Sequence, residues 1–267
     1  MDFAGKIAVI TGAGNGIGRQ AALSFAARGA KVLAVDRDAA AAEAAAASIR
    51  QKGGEARAHV ADVTKSSEVR GYVEAALAAY GGIDCFFNNA GIEGKVAPIA
   101  EYDEATFDAV IEVNLKGVFL GLRHVLPVMI KQGAGAVVNT ASVAGLVGTP
   151  GMAPYVASKH AVIGLTRTAS GEVARSGVRV NAVCPGPIDT RMIHALETQL
   201  NPADPDAASR RYRAALPSGR YGTPEEVANL VLFLCSDLAG NINGAHFVAD
   251  GGRTAVGGSV TATPQPK

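Results

Sequence analysis

The segment that decides the fold is Thr11-Gly12-Ala13-Gly14-Asn15-Gly16-Ile17-Gly18. It lies between a β-branched run at residues 6–11 and a helical pattern at residues 16–28. Glycines let a backbone turn tightly and approach a pyrophosphate, whose charge the unpaired N–H groups and dipole of a helix N-terminus stabilise. Ile17 stands where the common GxGxxG motif has its third glycine, so the spacing is TGxxxGxG. The segment predicts a dinucleotide phosphate cradle formed by Gly12, Asn15, Gly16, Ile17 and Gly18.

The rest of the chain repeats this alternation of strand and helix. Strands are predicted at residues 6–11, 31–35, 56–60, 83–87, 136–140, 178–183 and 245–248. Ala-rich helical segments separate most of them, and several strands are apolar throughout, as in Ile7-Ala8-Val9-Ile10. Parallel strands joined by right-handed crossovers produce this pattern. The sequence therefore predicts an α/β fold, a single doubly wound Rossmann-type domain with a parallel seven-stranded sheet flanked by helices on both faces.

Two regions interrupt the alternation. Residues 186–223 are rich in Pro, Asp and Arg and are too long for an ordinary connection, which is typical of a substrate lid. Residues 257–267 are rich in Gly, Ser, Thr and Pro, which favours a mobile C-terminal tail over an arm that packs on a partner subunit. We expect one dinucleotide-binding and catalytic domain over residues 1–256, followed by this flexible tail.

Charge and composition exclude several classes of function. The formal net charge of +1 gives no field that would attract nucleic acid or an anionic membrane. The five histidines show no metal-ligand spacing with one another or with the three cysteines, so we expect no metal site. The apolar stretches are broken before the roughly 18 residues of a membrane span, and no signal-peptide pattern is present. Cysteines in separate apolar runs favour reduced thiols in a cytoplasmic protein; they are Cys85, Cys184 and Cys235.

The second predicted strand ends at Asp36, where a carboxylate can accept hydrogen bonds from an adenosine ribose. This favours NAD as the cofactor. The same carboxylate would repel a 2′-phosphate, whereas the neighbouring Arg37 can pair with one, so NADP is the less favoured alternative. Asp36 can also act as the N-cap of the helix predicted at residues 39–48, and one residue can do both.

Two later strand ends carry short polar side chains beside small or apolar ones, in Asp62-Val63 and Asn88-Asn89-Ala90-Gly91. The carboxyl ends of parallel strands meet at one edge of the sheet, where open α/β folds bind ligands. Asn88 can hold two strand ends together without touching a ligand. The expected cofactor contacts in these segments are Asp62, Val63, Asn89, Ala90 and Gly91.

Ser142 follows the strand at residues 136–140, and Tyr155 and Lys159 lie one helical turn apart in the helix that comes next. The i, i+4 spacing places Tyr155 and Lys159 on one helical face. Bringing a tyrosine pKa from about 10 to about 7 takes about 4 kcal/mol, which a buried cation and a positively charged nicotinamide can supply. Ser142 can donate to a carbonyl oxygen as charge develops on it. The YxxxK spacing is common by chance and gains weight from the glycine segment and Asp36.

Taken together, these segments resemble the classical short-chain dehydrogenase/reductase family over about residues 6–252. The resemblance also includes Asn181, Pro185-Gly186 and the closing Asp250-Gly251-Gly252, whereas the residues after Gly252 have no clear counterpart. It implies a homotetramer packed through the long helices. It implies these roles: Tyr155 as general acid/base, Lys159 as modulator of its pKa and ribose contact, Ser142 as hydrogen-bond partner of the substrate, Asn114 as support for a water-linked proton relay, Asp62 and Val63 near adenine, and Pro185, Gly186, Ile188 and Thr190 near the nicotinamide.

The expected reaction is hydride transfer between NAD and a small-molecule secondary alcohol or ketone. Substrate choice is expected to come from residues 91–98, residues 143–152 and the lid at residues 186–223. An apolar wall is predicted at Val143, Leu146, Val147, Met152 and Met192, with Ser142 and Tyr155 at the reacting oxygen. Arginines of the lid, Arg210, Arg211 and Arg213, can attract a phosphate-bearing acyl carrier or form a solvated helix face. An NADPH-dependent 3-oxoacyl-carrier reductase is therefore the alternative enzyme, and a non-catalytic dinucleotide-binding protein is the alternative of another class.

Overall fold

The computed structural model describes residues 1–256, which contain a seven-stranded parallel sheet. Every predicted strand is present, although the fourth begins at Cys85 instead of residue 83 and the sixth extends to Pro185. The tail predicted at residues 257–267 lies outside the described residues. The strands are β1 Ile7–Thr11, β2 Lys31–Asp36, β3 Ala56–Val60, β4 Cys85–Asn88, β5 Gly135–Thr140, β6 Val178–Pro185 and β7 His246–Ala249.

Helices cover both faces of this sheet, as the sequence predicts. Over residues 1–256 they are α1 Gly16–Ala26, α2 Ala39–Gln51, α3 Ser66–Tyr80, α4 Glu104–Ile111, α5 Gly117–Gln132, α6 Ala153–Val173, α7 Arg191–Leu200, α8 Pro205–Ala214 and α9 Pro224–Cys235. Helices α1, α2 and α9 pack on one face with Ala8 and Ile10 of β1, and α3, α5 and α6 pack on the other with Val9. Because both faces are buried, the first four residues of β1, Ile7 to Ile10, are all apolar.

The order of the strands positions the ligand crevice. The sheet runs β3-β2-β1-β4-β5-β6-β7, so the chain builds outward from β1 on one side and then returns to start the other side with β4. The loops that leave the carboxyl ends of β1 and β4 therefore turn in opposite directions and leave a crevice between them. The glycine segment lies at the end of β1, and Asn89 follows the end of β4.

The segment at residues 186–223 is built around α7 and α8, with a small apolar core of its own. A buried carboxylate, Glu197, accepts a 2.6 Å hydrogen bond from the Tyr221 hydroxyl and lies 2.9 Å from His194 Nδ1. The opposite ring nitrogen of His194 lies 2.9 Å from an Asp189 carboxylate oxygen. The bond to Glu197, followed by the one to Asp189, raises the pKa of His194. These contacts join α7 to the segment on either side of it.

The cysteines Cys85, Cys184 and Cys235 are free and buried, as expected for core thiols.

The sequence argument against a membrane-spanning segment needs one correction, which concerns the length of a helix. The continuous helix Glu104–Gln132, which includes α4 and α5, has the length of a membrane span and contains an 18-residue stretch with a mean hydropathy of 1.3. Half of α5 is buried against the rest of the protein, and core helices pass the same test of length and composition.

Candidate active site

The turn between β1 and α1 is held against the end of β4. Thr11 Oγ1 accepts hydrogen bonds from the backbone N–H groups of Asn89, at 2.9 Å, and Ala90, at 3.1 Å. The Asn89 side chain donates to the Thr11 carbonyl at 3.0 Å. Gly12 and Gly16 have φ angles of +65° and +51°, which side chains rarely permit. The glycine segment is therefore a shaped turn attached to two strand ends.

The N-terminus of α1 offers donors to an anion. Asn15 occupies the N-cap position, but its side chain makes no capping hydrogen bond, and the first turn of α1 holds no acidic residue. The first N–H groups of a helix have no partner within the helix, and the helix dipole favours negative charge beside them. This end of α1 therefore suits a pyrophosphate, as the sequence predicts.

Gly18 offers a direct test of this cradle. A Cβ atom on Gly18 would lie 2.1 Å from the Gly12 carbonyl oxygen and 2.6 Å from the Asn89 side-chain nitrogen, so the turn would have to move. We expect Gly18→Ala to weaken dinucleotide binding at least about tenfold and to lower stability by about 1–3 kcal/mol. Calorimetric titration with NAD and thermal unfolding measure the two effects.

The matched control for Gly18→Ala is Gly71→Ala in α3. A Cβ atom on Gly71 meets a side-chain atom of His59 at 3.8 Å, an ordinary contact. Alanine in a helix interior is favoured over glycine by about 0.8–1.0 kcal/mol, so this variant should bind NAD normally and be no less stable. Equal binding by the Gly18 and Gly71 variants would contradict the assignment of the cradle.

Asp36 is fixed at the carboxyl end of β2 by two backbone donors. Its Oδ2 accepts from Gly14 N–H at 2.9 Å, and its Oδ1 accepts from Asp38 N–H at 3.1 Å. The N-cap of α2 is Asp38, whose side chain accepts from Ala40 and Ala41. The alternative that Asp36 caps this helix is therefore wrong. Asp36 and the exposed Arg37 both line the cavity described below.

Asn88 and Asn89 have different positions although they are adjacent in the sequence. The buried side chain of Asn88 donates to the Val118 carbonyl at 2.9 Å and to the Asn139 side chain at 3.2 Å, which ties β4 to α5 and β5. Asn89 reaches the cavity. The structure therefore places Asn88 in a packing position, as the sequence analysis allows.

Tyr155 and Lys159 lie on one face of α6, near its N-terminus. The Lys159 ammonium is 5.5 Å from the centroid of the Tyr155 ring and donates to the Thr140 carbonyl at 2.7 Å. Ser142 Oγ accepts from Ala144 N–H at 3.1 Å and lies 3.5 Å from the Pro185 carbonyl. That second distance is long for an O–H···O bond, so the Ser142 hydroxyl can donate to a ligand oxygen instead.

The pKa values of these groups differ from the sequence expectation. Desolvation raises the pKa of Tyr155 to about 12, and its hydrogen bond with Ser142 only partly opposes this. Burial lowers the pKa of Lys159 to about 8, so this side chain is mostly protonated at neutral pH. Without a bound ligand, burial is the largest influence on the Tyr155 pKa, and the lowering of that pKa by Lys159 stays a prediction. A positive charge on a bound nicotinamide would act in the same direction as Lys159.

Asn114 lies in a π-turn, Glu112–Lys116, between α4 and α5. Its side chain accepts from Ile92 N–H at 2.8 Å and donates to the Ile92 carbonyl at 2.9 Å, and the same amide is 3.4 Å from Ser158 Oγ. The residue is fully buried and does not line the cavity. Its direct contacts therefore hold the chain that follows β4, and the proton relay implied by the family resemblance stays a prediction.

A cavity of about 590 Å³ runs from the glycine turn to Tyr155 and Lys159. Among the predicted cofactor residues, Gly18 lies behind its wall. The others line it: Gly12, Asn15, Gly16, Ile17, Asp36, Arg37, Asp62, Val63, Asn89, Ala90, Gly91, Tyr155, Lys159, Pro185, Gly186, Ile188 and Thr190. The cavity combines glycines at positions with no room for a Cβ atom, the uncapped N-terminus of α1 and the Asp36 carboxylate at the end of β2. Together these features fit a nicotinamide dinucleotide.

The substrate end of the cavity includes side chains that the sequence analysis missed. Ser142, Val143, Met152, Tyr155 and Met192 line it as predicted, whereas Leu146 and Val147 do not. Arg210 pairs with Asp204, and Arg213 lies over the Tyr221 ring; neither contributes to the wall. Thr149, Leu196 and Tyr212 also line the cavity, within the regions predicted to set substrate choice, although the sequence analysis did not name them individually. Arg253 lies outside those regions, directly after the closing Asp250-Gly251-Gly252 motif.

Comparisons with known proteins agree with this geometry. The family model described as enoyl-(acyl carrier protein) reductase matches residues 12–254. Levodione reductase of Leifsonia aquatica is 44% identical over 95% of this chain and 96% of its own length, and a crystal structure of levodione reductase superposes with a TM-score of 0.93 over 95% of this chain and 99% of the other.

Two further relatives also match this chain over nearly its whole length. Cyclohexanol dehydrogenase of an Acinetobacter species is 40% identical over 95% of this chain and 96% of its own. The structure of NAD⁺-bound xylitol dehydrogenase, 37% identical, gives a TM-score of 0.89 over 94% of this chain and 100% of the other. With the site geometry, these matches over nearly the whole chain show that it belongs to the classical short-chain dehydrogenase/reductase family.

Proposed function

We propose that this oxidoreductase interconverts a small secondary alcohol and its ketone with NAD, using Tyr155 as the general acid/base. The observation that carries the proposal is the position of Tyr155, Lys159 and Ser142 at one end of the cavity that begins at the glycine turn. Relatives named for levodione, cyclohexanol and xylitol act on carbonyl or hydroxyl carbons and support the same reaction type.

The chain's own residues account for the proton. When bound, the nicotinamide supplies the hydride to the carbonyl carbon or accepts it from the alcohol carbon. During reduction, Ser142 donates a hydrogen bond to the substrate oxygen, and the Tyr155 hydroxyl transfers its proton to that oxygen. During oxidation the proton moves from the alcohol to the tyrosinate. The Lys159 ammonium, held by the Thr140 carbonyl, favours the negatively charged phenolate beside it.

The proposed preference for NAD rests on Asp36. Its carboxylate is already oriented by Gly14 and Asp38, and it can accept hydrogen bonds from the ribose hydroxyls. A 2′-phosphate in the same place would face like-charge repulsion. The neighbouring Arg37 is the feature that would favour NADP, and it is exposed.

The alternatives have less support. A reductase for carrier-bound acyl groups would use the lid arginines, but Arg210 and Arg213 already contact Asp204 and Tyr221. The family model that matches the chain carries an acyl-carrier name, which keeps this substrate class in the test. A non-catalytic dinucleotide-binding protein would not need the arrangement of Ser142, Tyr155 and Lys159.

The test of the proposed function is a direct assay of nicotinamide reduction. Purified protein is mixed with NAD or NADP and cyclohexanol, 2-butanol or benzyl alcohol, and the absorbance of the reduced nicotinamide is followed. We expect turnover of the secondary alcohols with NAD and much slower turnover with NADP. A protein that binds NAD but neither reduces it with any of these alcohols nor oxidises NADH with cyclohexanone or an acetoacetyl thioester would contradict the proposal.

We also propose a homotetramer in the cytoplasm. Large apolar side chains on the α4–α5 helix are substantially exposed in the single chain, with Phe107 at 41%, Phe119 at 44% and Ile130 at 46% of their full accessible surface. Covering them with other subunits would bury this surface. Light scattering of the purified protein measures the assembly, and a monomer at micromolar concentration would contradict it. Free buried thiols are consistent with a reducing compartment.

A further inference from the structure

The turn after β7 presents an arginine to the cavity. Asp250 Oδ1 accepts from Gly252 N–H at 2.9 Å, and Asp250 Oδ2 accepts from the backbone N–H and the hydroxyl of Thr254, each at 2.7 Å. Gly251 and Gly252 have φ angles of +63° and +89°, a conformation that favours glycine. The turn therefore has a fixed shape, and its remaining member, Arg253, lines the cavity.

Arg253 contacts an aromatic ring and has no acidic partner within residues 1–256. Its guanidinium carbon lies 5.6 Å from the centroid of the Tyr212 ring, and Nη1 lies 3.5 Å from the Tyr212 hydroxyl. Neighbouring arginines of the lid region do form ion pairs, Arg191 with Glu93 and Arg220 with Glu226. Arg253 therefore differs from Arg191 and Arg220, because its guanidinium lines the cavity with N–H donors that no carboxylate of residues 1–256 accepts.

Tyr212 is itself held in place. Its ring packs edge-on against the Tyr221 ring at 6.2 Å and 63°, and the Tyr221 hydroxyl is bonded to the buried Glu197 carboxylate. Tyr212 therefore provides a fixed platform under Arg253. The wall of the same cavity also includes the apolar side chains of Met152 and Leu196.

A guanidinium has five N–H donors and no acceptor, and it is best satisfied by a carbonyl or carboxylate oxygen. We propose that Arg253 and Tyr212 bind a second oxygen acceptor of the substrate, remote from the carbon that exchanges hydride. The substrate class is then a ketone or secondary alcohol that carries another carbonyl or a carboxylate. This inference rests on the proposed function and makes Arg253 a specificity-determining residue of the same site.

The experiment compares three ketones that share one ring: 4-methylcyclohexanone has no second oxygen, 1,4-cyclohexanedione has a neutral one, and 4-oxocyclohexanecarboxylate has an anionic one. Arg253→Met should lower kcat/KM about tenfold to a hundredfold for at least one of the oxygen-bearing ketones, mainly through KM. It should change kcat/KM for 4-methylcyclohexanone by less than about twofold. The ketone with the larger loss identifies the acceptor as neutral or anionic.

The matched control is Arg211→Met, which removes an exposed guanidinium of α8 that does not line the cavity. It should leave the order of preference among the three ketones unchanged. Arg253→Lys keeps the charge but loses the planar fork, and it should recover part of the preference for the carboxylate. An equal loss for all three ketones in Arg253→Met, or unchanged kcat/KM for both oxygen-bearing ones, would overturn the inference.

A binding measurement separates this inference from the proposed reaction. Cyclohexanecarboxylate has no carbonyl to reduce, so its calorimetric affinity in the presence of NAD is independent of turnover. If the anionic acceptor is the one bound, Arg253→Met should weaken this affinity about tenfold or more, while Arg211→Met should not. Turnover of 4-methylcyclohexanone by the unaltered protein tests the reaction itself and does not involve Arg253.

Discussion

Tyr155→Phe should reduce turnover of secondary alcohols by roughly 10²–10⁴-fold, because in the proposed reaction the phenol accepts and returns the proton. Phenylalanine keeps the ring that lies beside Lys159, so the fold and the cavity should be retained. The dissociation constant for NAD, measured by calorimetry, should change by less than a few-fold, while kcat falls. The residual rate should also lose the rise with pH that formation of the tyrosinate gives to alcohol oxidation.

A suitable control for this variant is Tyr72→Phe. Tyr72 is fully buried between α3 and the sheet, and within the described residues its hydroxyl has no hydrogen-bond partner. Removing an unsatisfied buried hydroxyl should leave activity unchanged and stability equal or slightly higher. Substantial turnover by Tyr155→Phe, with Tyr72→Phe behaving normally, would show that another group moves the proton.

Asp36→Ala should shift the ratio of kcat/KM for NAD over NADP by about tenfold to a thousandfold toward NADP. Two effects act in the same direction: hydrogen bonds from the carboxylate to the ribose are lost, each worth about 1.5–3 kcal/mol for a charged acceptor, and repulsion of a 2′-phosphate disappears. The exposed Arg37 stays in place and can pair with the 2′-phosphate. Steady-state kinetics with both nucleotides and one alcohol give the ratio.

Asp38→Ala is the matched control because it removes the same charge two residues away. Asp38 is the side chain that caps α2, so its loss should cost about 0.5–2 kcal/mol of stability. The cofactor ratio should stay within a few-fold of that of the unaltered protein. An unchanged ratio in Asp36→Ala, or an equal shift in both variants, would mean that Asp36 does not discriminate between the nucleotides.

Much of the fold follows from local pattern. Residues such as Ile7-Ala8-Val9-Ile10 are apolar throughout because α1 and α9 cover one face of β1 and α3 covers the other. The partly exposed β3, Ala56–Val60, lacks this signal and is located from the alternation of strand and helix. The signals for the glycine turn at residues 11–18 and for Tyr155 and Lys159 on α6 are also local, since each depends on a few residues of fixed spacing. These are the parts of the site that sequence reasoning places on the cavity wall.

The features that sequence reasoning missed depend on segments distant in the chain. Tyr212 and Arg253 meet at the cavity because α8 and the turn after β7 converge there, and the Asp250-Gly251-Gly252 motif before Arg253 does not indicate which segment Arg253 contacts. The pKa of Tyr155 follows from burial, which spacing on a helix does not report. The bonding of Asn114 to Ile92 likewise depends on a π-turn that propensities do not predict.

The hydrogen bonds that join Thr11 to Asn89 and Ala90 make one half of the cavity more rigidly framed than the other. The nucleotide half is framed by strands whose ends are bonded to each other, so it is formed before any ligand arrives and demands little reordering. The opposite half is framed by α7, α8 and the turn after β7, and α7 and α8 share a small apolar cluster that is separate from the two clusters on the sheet. Substitutions in these segments would therefore change the preferred substrate and leave the nucleotide cofactor unchanged.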